Sequence, residues 1–140
     1  MAKKLTVVEF EEFLDSRPGW IVLSTIDSEG YPHSVPLGYF REGEKIYCGV
    51  MDDTTKIKNI ENNPKVSLLI ESGSTMSDIK GAMIQGLAVV RRDPESVLSL
   101  MKKGARLRGV PDAALPKETR PGAAFIEISI GRRISWDYGG

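Results

Sequence analysis

The strongest constraint in this sequence is its punctuation. Seven β-rich segments, at 20–26, 31–40, 45–50, 65–71, 79–91, 123–130 and 133–138, follow one another across short turn signals. Asp27-Ser28-Glu29-Gly30 and Arg41-Glu42-Gly43-Glu44 read as tight hairpin connections. Val66, Leu68 and Ile70 alternate on one face of the fourth segment. Pro32 and Pro36 remove ladder donors from the second, which places it at an edge or makes it irregular. Gly81 and Gly86 inside the fifth predict a bulge or bend. Such a succession argues for a mainly β, closed antiparallel barrel. The strands do not alternate regularly with helices, which disfavours a doubly wound parallel sheet.

Three stretches carry helical signals. Thr6 and Glu9 form a capping box ahead of Val7, Phe10, Phe13 and Leu14, which share one face up to Ser16. Residues 54–62 read as a short helix stopped by Asn63-Pro64. Asp93-Pro94 supplies an N-cap and a first-turn proline for a helix ending near Lys103. From there to Arg120 lies a basic segment with Lys102, Lys103, Arg106, Arg108, Lys117 and Arg120, expected to be mostly loop.

Residues 1–140 read as one domain, long enough to bury a core without disulfides. Lys plus Arg and Asp plus Glu both number 19, so no net charge draws the chain to nucleic acid or an anionic membrane. No apolar stretch follows Lys3 and Lys4, and no apolar run approaches the length of a membrane span. With Cys48 as the only cysteine, a cytoplasmic location is expected.

The chemistry open to the chain is narrowed by what is scarce. His33 is the only histidine, so a Cys/His zinc site within one chain and a Ser-His-Asp triad are both poor readings. Walker and G-x-G-x-x-G loops are absent. The segment Thr54-Thr55-Lys56-Ile57-Lys58-Asn59-Ile60 is more informative. As a helix it turns Ile57 and Ile60 to an apolar face, with Lys56 and Asn59 beside them and Lys58 roughly opposite. A helix N-terminus with threonine hydroxyls and Lys56 suits a phosphate. An ordinary N-cap with solvated lysines explains the same residues. Gln85 reads either as a water-facing strand residue or as an amide pairing with a ring, and Trp136 as a packed aromatic, a stacking surface or an interface anchor. The basic segment reads as a solvated linker or as a means of steering an anionic substrate.

Taken in order, several stretches resemble the FMN-binding split-barrel superfamily related to pyridoxamine 5′-phosphate oxidase. They are residues 21–26 (IVLSTI), 30–36 (GYPHSVP), 56–60 (KIKNI), 63–67 (NPKVS), 84–88 (IQGLA) and Ser135-Trp136-Asp137. The resemblance implies a six- or seven-stranded antiparallel split β-barrel with a few short flanking helices. It implies a homodimer with FMN at the subunit interface and a small-molecule substrate. Thr54, Thr55, Lys56, Lys58 and Asn59 would then hold the cofactor phosphate. His33, Ser34, Val35 and Pro36 would run beside the ring, with Tyr47, Cys48, Gly49 and Val50 as the neighbouring wall. Gln85 and Trp136 would reach the ring from the partner subunit. The chain lacks the arginine and histidine pattern with which the true oxidase grips its substrate, so vitamin B6 oxidation is not expected. The deazaflavin coenzyme is the alternative cofactor. A non-catalytic flavin or haem carrier is the alternative function.

Overall fold

The fold is described from a computed structural model covering residues 2–139. Helix α1 (Val7–Ser16) opens on the expected capping box: the Thr6 hydroxyl accepts from the Glu9 amide at 3.1 Å, and the Glu9 carboxylate accepts from the Thr6 amide at 2.9 Å. The strands are β1 (Ile21–Ile26), β2 (Pro32–Leu37), β3 (Phe40–Glu42), β4 (Lys45–Met51), β5 (Lys65–Ser72), β6 (Lys80–Arg91) and β7 (Ala123–Asp137). Helix α2 (Thr55–Asn62) joins β4 to β5, and α3 (Pro94–Leu107) follows β6. No described helix is long and apolar enough to cross a membrane.

All seven strands form one antiparallel sheet in the order β2-β1-β5-β6-β7-β4-β3. The two ends of that order, β2 and β3, are joined by Gly38 and Tyr39 alone. Three peptide steps span at most about 11 Å. Six strand spacings in a flat sheet would separate the same ends by roughly 29 Å. The sheet therefore rolls up on itself, and the chain crosses the seam where no described ladder joins β2 to β3. The barrel is split rather than closed by hydrogen bonds, which corrects the expectation of a closed barrel and agrees with the split form.

Alternation explains the interior. Ile21 and Leu23 of β1, Ile46 and Cys48 of β4, Val66, Leu68 and Ile70 of β5, and Ile126 and Ile128 of β7 meet inside the barrel. Phe10, Phe13 and Leu14 of α1 and Ile57 and Ile60 of α2 join the same core. A second cluster lies on the outer side, where Val97 of α3 covers Phe40, Tyr47 and Phe125. Each fully buried aliphatic side chain contributes roughly 1.5–3 kcal/mol, so both clusters count in holding the strands.

Three segment boundaries differ from expectation, each through a long-range contact. The 31–40 segment divides into β2, an edge strand as its prolines require, and β3. Between them Tyr39 turns inward and its hydroxyl donates to the Leu14 carbonyl at 2.5 Å. The 123–130 and 133–138 segments are one strand, because the Gly131-Arg132 step is not a turn. It sits where the β6–β7 register shifts between Gln85 and Gly86, and a Cβ on Gly131 would lie 2.9 Å from the Gln85 carbonyl oxygen. Finally, α3 runs to Leu107 rather than ending near Lys103, and so takes Arg106 into the helix. It passes through Gly104 because Phe40 packs there, 3.2 Å from where a Cβ would stand. The remaining basic loop holds a short 3-10 turn at Asp112–Ala114.

Candidate functional site

Gly49, Val50, Thr54 and Lys56 line one cleft of about 470 Å³. It lies beside the N-terminus of α2, between the end of β4 and α3. Met51, Met101, Arg120 and Phe125 complete much of its wall. No aspartate or glutamate lines it.

The start of α2 is left open to an acceptor. Thr54 occupies the N-cap position, yet its hydroxyl donates to the Met51 carbonyl at 3.0 Å and caps no amide. No side chain caps this helix, and no carboxylate sits in its first turn. The amides of the first turn therefore keep their donors free of side-chain caps; Asp53, just before Thr54, is exposed and forms no ion pair among the described residues. Lys56 is half-buried there, and neither it nor Arg120 forms an ion pair among the described residues. Asp52, just ahead of the helix, is held by Arg92 at 2.6 Å. Two free cations and an uncapped helix end thus converge on one side of the cleft.

The other residues assigned from sequence are distributed differently. Thr55 and Lys58 are exposed on α2 and do not line the cleft. Asn59 is buried, and its amide donates to the Thr25 hydroxyl of β1 at 3.0 Å. Tyr47 lies in the cluster under α3, where its hydroxyl donates to Glu127 at 3.1 Å. Burial and the neighbouring Glu127 carboxylate push that phenol up to about 12. Cys48 is wholly inside the barrel, and burial pushes its thiol up to about 12 despite nearby Lys56. It is an inert core residue rather than a nucleophile.

On β2, His33 and Val35 are half-buried while Ser34 and Pro36 are exposed. The Ser34 and Ser24 hydroxyls hydrogen-bond at 2.8 Å. His33 stands opposite Thr25 in the ladder, and its Nδ1 is buried without a hydrogen-bond partner. Gln85 is exposed and lines a separate cleft of about 580 Å³ on the outer face, with Ser24, Ile26 and Leu87. Trp136 packs over Gly81, its ladder partner, so closely that a Cβ on Gly81 would lie 2.3 Å from the indole. In a single chain neither Gln85 nor Trp136 lines the cleft of Lys56.

Arg120, Met101 and Phe125 were not assigned to the site from sequence. Arg120 stood out only as one member of a basic segment. Phe125 shares its strand face with Glu127 and Ser129, opposite the apolar face of Ile126, Ile128 and Ile130, and nothing local shows that α3 covers it to form a cleft.

A second cleft of about 460 Å³ adjoins the first and shares Gly49, Met101 and Phe125 with it. Arg17, Trp20, Gly38, Phe40, Gly104 and Arg108 are among its lining.

Solved structures with this architecture include the conserved hypothetical protein Rv2991 from Mycobacterium tuberculosis. It matches with TM-score 0.81 and 22% identity over 96% of this chain and 86% of its own. An FAD-binding protein from Mesorhizobium loti matches with TM-score 0.73 and 19% identity, covering 98% of each chain. An F420 reductase matches with TM-score 0.67 and 18% identity over 87% of this chain and 94% of its own. At these identities the likeness is one of fold. No curated protein matches the chain by sequence. The sequence profile of pyridoxamine 5′-phosphate oxidase, however, matches residues 7–137, from the start of α1 to the end of β7. With the split seven-stranded barrel and a match spanning every element of it, the chain belongs to the pyridoxamine 5′-phosphate oxidase family.

Proposed function

We propose that this protein is a cytoplasmic, homodimeric oxidoreductase that binds FMN and acts on a small molecule. The observation that carries the reading is the convergence of Lys56, Arg120 and the uncapped N-terminus of α2 on one cleft that contains no carboxylate. These groups fit a phosphate: the helix end offers backbone donors, and the two side chains supply positive charge. The apolar wall of Met101, Val97 and Phe125 fits the flat remainder of such a cofactor and excludes water from it.

When bound, the flavin would supply the hydride or electron chemistry. The chain's own residues bind, orient and shield. Lys56 and Arg120 neutralise the phosphate. Gly49 leaves the strand surface along the cleft flat, although a Cβ there would make only an ordinary contact, 3.5 Å from Phe125. The buried Nδ1 of His33, unpartnered in the chain, is a hydrogen-bonding position at the edge of the barrel.

Gln85 and Trp136 act in this reading on the cofactor of a second copy. The outer sheet face around Gln85 exposes Leu69, Leu87 and Val89 and is the surface proposed to meet that copy. The deazaflavin coenzyme is the competing cofactor, because the same cations would hold its phosphate.

The test is a fluorescence titration of the purified protein with FMN and with the deazaflavin coenzyme. Lys56→Ala is expected to weaken binding of the preferred cofactor by about 1–3 kcal/mol. Preference for the deazaflavin would move the protein to that cofactor. Binding without turnover would make it a carrier. Binding of neither would refute the reading. Light scattering that shows only monomers with cofactor bound would refute the shared site.

A further inference from the structure

Arg92 follows β6 and turns its guanidinium to α2. Its Nε donates to the Asp52 carboxylate at 2.6 Å, and its Nη2 lies 3.2 Å from the Glu61 carboxylate. Asp52 stands between the end of β4 and the start of α2, and Glu61 in the last turn of that helix. One side chain thus ties the two ends of α2 together. As stabilising pairs these contacts count for little: every partner is more than a third exposed, and such surface pairs contribute about 0–1 kcal/mol.

What Arg92 decides is where a carboxylate points. A carboxylate just ahead of a helix is ordinarily favoured near the free amides of the first turn, where the helix dipole attracts it. Asp52 is close enough for that. It stands two positions before Thr54, a span of at most about 7 Å. Its backbone is fixed, because its amide donates to the Gly122 carbonyl at 2.8 Å. Only the side chain is left to turn, and Arg92 sets its direction. Asp52 accordingly lines no part of the cleft.

The neighbouring groups follow the same division. The Thr54 hydroxyl is engaged by the Met51 carbonyl, so it and Asp52 both point away from the α2 amides. Asp53, exposed between them, caps nothing and is screened by water. Asp93, next to Arg92, accepts from the Ser96 amide at 2.9 Å as the cap of α3 and forms no ion pair with Arg92.

We propose that Arg92 is a positioning residue of the phosphate seat: it holds the Asp52 carboxylate off the α2 amides and so keeps them open to an anion. Released, that carboxylate would take the amides itself and repel what Lys56 and Arg120 attract. Calling the anion a cofactor phosphate rests on the flavin reading above; control of the anion seat by Arg92 does not.

The test compares FMN with riboflavin, which lacks the phosphate, by fluorescence titration of the full chain at low ionic strength. Inorganic pyrophosphate, titrated calorimetrically, probes the seat without a flavin. Arg92→Gln is expected to weaken FMN and pyrophosphate about three- to tenfold and to leave riboflavin unchanged. Adding Asp52→Asn to it should restore both anions, because the released carboxylate is gone. Adding Glu61→Gln instead should not, since Glu61 lies about 9 Å along α2 from Thr55. Asp52→Asn alone should bind FMN at least as tightly as the natural chain. That variant carries the test even where the melting temperature shows that Arg92→Gln does not fold.

A loss shared equally by riboflavin would overturn the proposal, as would one that Asp52→Asn does not restore. So would weaker FMN binding by Asp52→Asn alone, unchanged anion affinity in folded Arg92→Gln, or a natural chain that binds neither anion. Pyrophosphate binding that depends on Arg92 and Asp52 as expected, with no flavin bound, would refute the cofactor reading alone.

Discussion

The Asn59 side chain of α2 donates to the buried Thr25 hydroxyl of β1 at 3.0 Å, across 34 residues of sequence. This bond pins the helix that carries Lys56 to the barrel wall, on the strand that faces His33. Asn59→Ala would leave the Thr25 hydroxyl buried and unpaired. The expected cost is about 1–3 kcal/mol of stability, read by urea denaturation. Thr25→Val combined with Asn59→Leu should cost less than the sum of the single changes, because neither polar group is then stranded. Additive costs would show that the two groups do not interact.

Glu127 is the one buried carboxylate among the described residues, and it serves three donors: Tyr47, Lys45 at 3.2 Å and Arg91 at 2.9 Å. Burial pushes its carboxyl up, but the bonds from Arg91, Lys45 and Tyr47 outweigh that and hold it below the usual range. Glu127→Ala strands the Tyr47 hydroxyl and leaves two cations that water still reaches. A loss of about 1–3 kcal/mol is expected, with the flavin titration unchanged. An unchanged thermal midpoint would show the cluster to be energetically idle.

Glu9 gives an acid-dependence with a defined window. The Thr6 amide, then Lys3 and the Thr6 hydroxyl, hold its carboxyl down to about 2 from 4.5. A depressed carboxylate stabilises the fold above the unfolded value and loses that contribution as pH falls through the folded one. The stability advantage of the natural chain over Glu9→Gln should therefore be full above about pH 4.5 and vanish near pH 2. Thermal melts of both proteins across that range measure it. Parallel curves would place the effect elsewhere.

Gly81→Ala tests where Trp136 lies. The added methyl would meet the indole at 2.3 Å, so the ring has to move. Overpacking of this kind costs about 1–3 kcal/mol. In a Trp20→Phe background only Trp136 reports, and its emission should shift when Gly81 is substituted. An unaltered spectrum would contradict the packing.

What the sequence determined by itself was local. The capping box at Thr6, the Asp93-Pro94 helix start, the edge character of the proline-bearing strand and the alternation of Val66, Leu68 and Ile70 depend on neighbours a few residues away. Those forces act before the chain has a fold. Lys56 at a helix start could be read as a phosphate seat for the same reason, as could the basic character of the segment that contains Arg120.

What only the tertiary structure decided depended on groups far apart in the chain. Gly104 does not end α3 because Phe40 fills the space beside it. Gly131 does not turn the chain because pairing with β6 resumes on both sides of it, at Ile130 and Arg132, and leaves Gly131 as the extra residue of a bulge in β7. Asn59 does not line the cleft with Lys56 because its amide is buried against Thr25. Arg120 joins Lys56, and Arg17 joins Arg108, only once α3 has packed on Phe125 and its last turn has come to rest beside α1. Burial and long-range hydrogen bonding reward these arrangements after the sheet has rolled up, and no window of sequence contains both halves of such a contact.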